Sequence, residues 1–182
     1  WTMIAQGRVI VSPFDASYLY CLDLLTGQPV WSKPKPRGTN LFVAGVHGNR
    51  VILVGRASVS AIDLDSAQTI WSLKLNAAPA GRGIQTRQHY LLSTQDAKLL
   101  KLDLDTGEIQ QTLDTKERLG NLIAYRDQII SQNAFRVQAF YQGAPLRKTV
   151  DARLEEDSSE PWALEHLAML QLHEGDRKSA LE

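Results

Sequence analysis

A repeat with a fixed period of 40 residues constrains this sequence more than any other feature. A run rich in aliphatic and β-branched residues precedes each copy, as RVILVG does at 50–55. Self-similarity at such a period marks a chain built from stacked copies of one unit. A weaker fourth copy, without the central turn motif, follows at 121–142. The three full copies are Cys21–Trp31 (CLDLLTGQPVW), Ala61–Trp71 (AIDLDSAQTIW) and Lys101–Gln111 (KLDLDTGEIQQ).

Each unit is predicted to form four short strands, because Val, Ile, Leu and aromatic residues alternate with runs of Gly, Asn, Asp and Ser. In the second unit the predicted strands are 41–45, 50–55, 58–63 and 69–74. Four strands in every 40 residues are typical of a β-propeller blade, whereas a β-sandwich would not keep so strict a period. The predicted fold class is therefore mainly β, with about three and a fraction four-stranded antiparallel blades followed by an α-helical hairpin.

The turn between the third and fourth strands of each unit has a physical explanation. Its aspartate can accept hydrogen bonds from the backbone two or three residues further on. Gly27 and Gly107 can supply the positive φ that such a turn needs, whereas Ala67 at the same place predicts a different turn or a strained one. The aspartates of the three turns are Asp23, Asp63 and Asp103.

Trp31 and Trp71 occupy one equivalent place, on the outer strand of their units. A large flat ring there is expected to wedge between neighbouring blades and to donate its indole N–H to a carbonyl. With the aspartate and glycine, this tryptophan resembles the tryptophan-docking motif of pyrroloquinoline-quinone-type propeller repeats, over about residues 1–142. The third copy departs from the motif at Lys101 and Gln111, and Cys21 stands where the motif has alanine.

The number of units is too small for a closed ring, since propellers have about four to eight blades. The missing blades are expected either in sequence outside these residues or in a second chain. The first residue is Trp1 rather than Met. We therefore expect a piece of a longer protein, a mature form or a trimmed chain, with any targeting signal outside the sequence.

The 182 residues carry no net charge, with 20 basic and 20 acidic side chains, but the charge is unevenly distributed. Residues 1–150 carry a net of six positive charges and residues 151–182 a net of six negative charges. The basic residues are scattered rather than clustered on one face, so nucleic-acid binding is not expected. No apolar run approaches the roughly 18 residues of a transmembrane helix.

A different module is predicted after residue 150: an acidic linker at 151–160, then a helix-turn-helix at 161–182. Ser158 or Ser159 could cap the first helix with Glu160 and Pro161 in its first turn. Gly175 should end that helix, and Asp176 could cap the next. The pattern resembles the start of a tetratricopeptide repeat. The resemblance rests on packing positions at Leu164, Leu167, Ala168, Gly175 and Ala180.

The family resemblance implies one enzyme activity, that of a quinone-dependent dehydrogenase. Such enzymes have a vicinal cysteine pair over the cofactor, and Cys21 is the only cysteine of the sequence. The residues Asp103, Asp105 and Gly107 are spaced like part of a calcium loop. However, Thr106 and Glu108 do not complete that pattern, which favours a blade turn.

No histidine pair is predicted to bind a metal. His166 and His173 would lie two helical turns apart, roughly 10 Å, which is too far for one ion. His47 and His89 fall in different blades. We therefore predict no catalytic, cofactor-binding or metal-ligating residue and no cofactor.

The favoured hypothesis is a non-catalytic scaffold that binds unidentified protein partners, since propellers and helical repeats both present broad binding surfaces. The resemblance implies a periplasmic or cell-envelope location, because many relatives act there, for example in outer-membrane assembly scaffolds. Two alternatives stay open: part of a quinone-dependent dehydrogenase whose active site lies outside this chain, and a sensor with a small molecule in the propeller channel.

Overall fold

The structure is a computed structural model and describes residues 2–13, 16–34, 40–126, 128–176 and 180. Three four-stranded antiparallel sheets follow one another along the chain, each with its strands in sequence order. The first contains β1 (Thr2–Ala5), β2 (Arg8–Val11), β3 (Tyr18–Asp23) and β4 (Pro29–Pro34). The second contains β5 (Asn40–His47), β6 (Arg50–Gly55), β7 (Ser58–Asp63) and β8 (Thr69–Lys74). The third contains β9 (Ile84–Gln85), β10 (His89–Ser93), β11 (Lys98–Asp103) and β12 (Ile109–Asp114).

These sheets confirm the predicted blades. Three of the four strands predicted for the second unit have the observed bounds, and the first is longer than its predicted range of 41–45. The 40-residue period also sets the register between the third and fourth strands. Cys21 pairs with Trp31, Ala61 with Trp71 and Lys101 with Gln111, and each pair precedes a register shift.

The second sheet is buried on both faces, which explains why β6 lacks a polar side. Val51 and Leu53 join a cluster with residues of the first sheet, such as Ile10. Ile52 and Val54 alternate with them and pack with residues of the third sheet. Because neighbouring side chains on a strand point to opposite faces, a strand between two sheets is apolar at every position. The blades are thus held together by two interleaved apolar layers.

The fourth copy forms a three-stranded sheet of β13 (Asn121–Tyr125), β14 (Gln128–Gln132) and β15 (Val137–Tyr141). The chain divides into two compact units. The first comprises Trp1–Leu122 and Ser131–Arg136, and the second comprises Ile123–Ile130 and Val137–Glu182.

Two helices follow the fourth sheet, α1 (Gly143–Glu156) and α2 (Pro161–Glu174). They pack through Leu146, Val150, Ala163 and Leu170. Ion pairs link Arg147 to Glu174 and Arg153 to Glu160. The predicted fold class, blades followed by an α-helical hairpin, is thereby confirmed, but the hairpin consists of α1 and α2. The second helix that was predicted to follow Gly175 lies mostly outside the described residues.

The prediction of a linker at 151–160 is wrong for residues 151–156, because α1 continues through them. Leu146, Val150 and Leu154 recur every four residues and place an apolar stripe against α2. The acidic residues between them lie on the exposed side of the helix. The first helix also begins before residue 150, where the propeller was predicted to end.

The prediction that Ser158 or Ser159 caps α2 is also wrong. The Glu160 carboxylate accepts the backbone N–H of Ala163 at 3.0 Å and is the N-cap. Ser159 instead donates to Asp157 within the preceding turn. Pro161 is the first helical residue, as predicted.

The end of α2 follows the sequence pattern, since Gly175 adopts a left-handed φ of 87°. Of the proposed tetratricopeptide positions, Leu167 packs against the interhelical cluster and Ala168 and Ala180 are half-buried. Leu164 is 44% exposed, and its neighbour Ala163 is fully buried instead. The tetratricopeptide resemblance stays a prediction. Among the described residues, no helix is long and apolar enough to cross a membrane.

Candidate interaction site

Each of the first three blade turns is built around one aspartate carboxylate. In the turns of Asp23, Asp63 and Asp103, one carboxylate oxygen accepts the backbone N–H groups two and three residues further on, at 2.8–3.1 Å. The same oxygen accepts the hydroxyl of the third residue, Thr or Ser, at 2.7–3.2 Å. Three donors thus converge on one atom, which fixes the chain direction between the last two strands.

These donors lower the pKa of all three aspartates below the ordinary value. In the first and third turns the largest cause is the backbone N–H three residues on. In the second turn the largest cause is the Ser66 hydroxyl. The carboxylates are therefore held ionised by hydrogen bonds within their own turns.

The fifth residue of each turn has a left-handed backbone. The φ angles of Gly27, Ala67 and Gly107 are 69°, 58° and 77°. Each donates its N–H to the carbonyl oxygen of the turn aspartate at 2.9 Å. Ala67 therefore adopts the same turn as the glycines, in a conformation that costs a non-glycine residue roughly 1–2 kcal/mol.

The two outer-strand tryptophans join each blade to the next one. Trp31 Nε1 donates to the Leu64 carbonyl oxygen at 2.7 Å, and Trp71 Nε1 donates to the Leu104 carbonyl oxygen at 3.2 Å. Each acceptor lies in the turn of the following blade, directly after the turn aspartate. Both rings are half-buried. The indole therefore combines apolar packing with one directed hydrogen bond.

The Trp71 ring also explains why Gly107 lacks a side chain. A Cβ atom built on Gly107 would lie 2.4 Å from Cε3 of Trp71. The ring thus rests on the turn backbone, and a side chain there would have to displace it. In the preceding junction Trp31 and Ala67 belong to one packed cluster.

A second pairing, which sequence reasoning missed, lies beside each tryptophan. Arg8 Nη2 lies 3.1 Å from Asp65 Oδ1, and Arg50 Nη1 lies 3.1 Å from Asp105 Oδ1. His47 Nε2 lies 3.4 Å from the same Asp105 oxygen. Both arginines begin the second strand of a blade, and both aspartates stand two residues after the turn aspartate of the next blade. The shared RVI sequence at both arginines was the available signal.

The third blade ends the tryptophan series. Gln111 occupies the tryptophan place, and all six residues of β12 are exposed. The neighbouring Gln110 bonds instead within its own blade: its Nε2 donates to Asp103 Oδ2 at 3.0 Å, and its Oε1 lies 2.7 Å from His89 Nε2. The outer strand of this blade thus carries no indole toward a neighbour.

One exposed aromatic side chain stands out in the described part of the first unit. Phe135 is 93% exposed, at the tip of the hairpin between β14 and β15. The Asn133 side chain holds this tip, since its Oδ1 accepts the N–H groups of Phe135 and Arg136 at 2.9 and 3.0 Å. Its Nδ2 donates to the Arg118 carbonyl oxygen at 3.0 Å. Sequence reasoning placed Phe135 within the weaker fourth copy at 121–142 and did not single it out.

The residues weighed as metal ligands have other partners. Asp105 pairs with Arg50 and His47, as described above, and His166 Nδ1 lies 2.8 Å from the Trp162 carbonyl oxygen. The His173 side chain lies outside the described residues. Within the described part of the chain, no group of three or more His, Cys, Asp or Glu side chains could hold a metal ion.

Comparison with solved structures shows the same architecture. BamB from Moraxella catarrhalis has a TM-score of 0.58 and 17% identity, over 74% of this chain and 43% of that chain. The computationally designed Ika4 protein has a TM-score of 0.62 and 16% identity, over 77% of this chain and 88% of that chain. Quinohemoprotein alcohol dehydrogenase ADHIIG from Pseudomonas putida HK5 has a TM-score of 0.50 and 18% identity, over 62% of this chain and 20% of that chain.

These likenesses show the fold alone, and the chain spans less than half the length of the BamB structure. No curated protein matches the sequence. The family of "Outer membrane protein assembly factor BamB" matches residues 2–137, which include all three complete blades and most of the fourth sheet. The match covers well over half of the chain, so the chain belongs to the BamB family of pyrroloquinoline-quinone-like propeller repeats.

Proposed function

We propose that this chain is part of a larger non-catalytic scaffold that binds protein partners in the cell envelope during outer-membrane protein assembly. Its family supports this proposal, because the family description is that of an assembly factor. The tandem of blades supports it as well. Two junctions, each with an indole hydrogen bond and an ion pair, make a firm support for exposed binding groups.

The observation that carries the proposal is that Phe135 is exposed on a turn that hydrogen bonds hold in place. A phenyl ring that is 93% exposed gains nothing from burial in this chain. Nevertheless the Asn133 side chain fixes the turn beneath it by accepting two backbone N–H groups and donating to one carbonyl oxygen. The backbone N–H of Asn133 also donates to the Arg136 carbonyl oxygen at 3.1 Å. A large apolar group held in one place loses little entropy when it is bound.

Charged groups surround this ring and indicate the kind of partner. Arg136 pairs with Glu117, and Arg118 Nε donates to the Gln95 carbonyl oxygen at 3.1 Å. The ring and these side chains line an open depression of about 330 Å³. Aromatic residues, phenylalanine included, and arginine are both enriched in protein interfaces. We expect a partner with an apolar pocket that receives the ring.

Site-specific photocrosslinking tests this function. A photoreactive phenylalanine analogue replaces Phe135 in bacteria that export the chain to the envelope, and crosslinked proteins are identified by mass spectrometry. We expect capture of a component of outer-membrane protein assembly from position 135. The same analogue at Leu113, an exposed apolar residue of β12, is the matched control and should capture none. Equal capture from both positions, or none from position 135, would contradict the proposal.

A further inference from the structure

A small pocket lies between the second and third blades, where the outer strand of each blade contributes to its lining. Its apolar part consists of Leu75 and Leu100, which are almost fully buried, and the partly exposed Ile109. The volume is about 100 Å³, which corresponds to roughly three water molecules. Pockets for cofactors and other small molecules measure about 300–1,000 Å³, so this one has room for a single side chain.

The polar part of this pocket has an excess of positive charge. It contains two ammonium groups, those of Lys74 and Lys98, and one carboxylate, that of Asp96. The hydroxyl of the buried Thr94 donates to Asp96 Oδ1 at 2.6 Å, and Lys98 Nζ lies 3.1 Å from Asp96 Oδ2. The Thr94 hydroxyl and Lys98 together hold the pKa of Asp96 below its ordinary value. Among the described residues, no carboxylate forms an ion pair with Lys74.

The two lysines are not a general feature of the blade repeat. Lys74 ends the fourth strand of its blade, where the first blade has Pro34. Lys98 begins the third strand of its blade, where the second blade has Ser58. Both junctions are nevertheless joined by the same indole hydrogen bond and the same type of ion pair. The lysine pocket is therefore not needed to join blades.

The pocket adjoins the open depression around Phe135. Thr94 and Asp96, which line the pocket, stand on either side of Gln95 in the sequence. The Gln95 carbonyl oxygen accepts Nε of Arg118 at 3.1 Å, and Arg118 lines the depression together with Phe135. One segment of a bound protein can therefore contact the exposed ring and the pocket at the same time.

We propose that this pocket binds a glutamate side chain of the protein partner that covers Phe135, an inference that rests on the proposed function. The aliphatic stem of the glutamate packs on Leu75 and Leu100. Its carboxylate accepts from Lys74 and from the ammonium protons that Lys98 does not use on its own partner. A lysine or arginine is a poor occupant, because the described carboxylate of the pocket is already paired and two ammonium groups repel a third cation.

A titration of the full chain tests the pocket without the partner. The probe is N-acetylglutamate methylamide, and its neutral control is N-acetylglutamine methylamide. At low ionic strength we expect the backbone amide resonances of Asn76, Ala77 and Lys98 to shift progressively with the glutamate probe and to stay in place with the glutamine control. Absence of these shifts, or equal shifts with both compounds, would overturn the glutamate pocket.

Two variants that each remove one positive charge identify the binding group. Lys74→Gln changes an exposed side chain and should weaken binding of the glutamate probe by about threefold to fivefold. The matched control is Arg87→Gln, an exposed residue of the hairpin between β9 and β10, at the other end of β10 from the pocket. This control should leave the affinity unchanged. Equal weakening by both variants, or none by Lys74→Gln, would overturn the assignment.

Photocrosslinking connects the pocket with the partner. The photoreactive analogue at Gln95, an exposed residue between the pocket and the depression, should capture the same protein as the analogue at Phe135. Lys74→Glu should reduce this capture, and Arg87→Glu should not. Capture of a different protein, or capture unchanged by Lys74→Glu, would overturn the role of the pocket. The titration needs no partner, so it separates failure of the glutamate pocket from failure of the proposed function.

Discussion

Replacing Trp71 with alanine removes the indole that joins the second and third blades, and the contacts of this ring set the cost in unfolding free energy. Removing a core tryptophan side chain costs about 3–5 kcal/mol of unfolding free energy. Because Trp71 is half-buried, we take the lower end of that range for its packing, about 3 kcal/mol. The lost hydrogen bond to the Leu104 carbonyl oxygen adds about 1 kcal/mol. The expected loss is therefore about 4 kcal/mol.

Urea unfolding followed by circular dichroism measures this loss, since the midpoint and slope give the unfolding free energy. The matched control is Ile70→Thr on the same strand, where the side chain is 45% exposed and the substitution keeps a β-branched residue. That control should change the unfolding free energy by no more than about 0.5 kcal/mol.

A double-mutant cycle with Gly107→Ala tests whether the ring rests on the turn. In the parent chain the new methyl group has to displace the Trp71 ring, from which it would lie 2.4 Å away. After Trp71→Ala, only the cost of the left-handed backbone remains. We expect a coupling of at least about 1 kcal/mol between the two sites. A loss below about 1 kcal/mol for Trp71→Ala, or additivity in the cycle, would refute the docking geometry.

Three smaller changes test other parts of the same junctions. Asp63→Asn should lower the melting temperature most above about pH 4, the ordinary aspartate pKa. The lowered pKa of Asp63 adds stability above that pH, which is lost as pH falls through the folded-state pKa, so melting curves across pH 3–7 should converge at the acid end. Asp105→Asn removes a partly exposed partner of Arg50 and should cost less than about 1 kcal/mol in urea unfolding, with a smaller difference in high salt. Ala67→Gly removes the backbone strain of an alanine in the left-handed region, so the urea midpoint should rise. The unfolding free energy should increase by about 0.5–1 kcal/mol. A decrease would mean that the methyl contact with the Trp31 cluster outweighs the backbone strain.

The blades could be predicted from the sequence because the residues that determine each blade lie close together along the chain. The alternation of apolar residues, the turn aspartate and the outer tryptophan all lie within about 40 residues, and the period repeats them. The ion pair from Arg8 to Asp65 could not be found in this way, because its partners stand 57 residues apart in two different copies. Only the stacking of the blades brings them together.

The helix α1 was missed for a different reason. Its polar and acidic residues dominate the composition from Asp151 to Glu156, and Gly143 and Pro145 at its start suggest a break. The spacing of Leu146, Val150 and Leu154 indicates a helix. These three side chains form a buried face only because α2 packs against them. The exposure of Phe135 could not be predicted either, because it depends on which residues of the segment form the turn of the hairpin.

The docking of the two tryptophans can be tested most directly by nuclear magnetic resonance of their indole N–H groups. We expect slow hydrogen exchange for Trp31 and Trp71, because each N–H is bonded to a carbonyl of the next blade. We also expect a nuclear Overhauser contact between the Trp71 ring and the Gly107 α-protons. Rapid exchange of both indoles, without that contact, would contradict a tandem of blades joined by docked tryptophans.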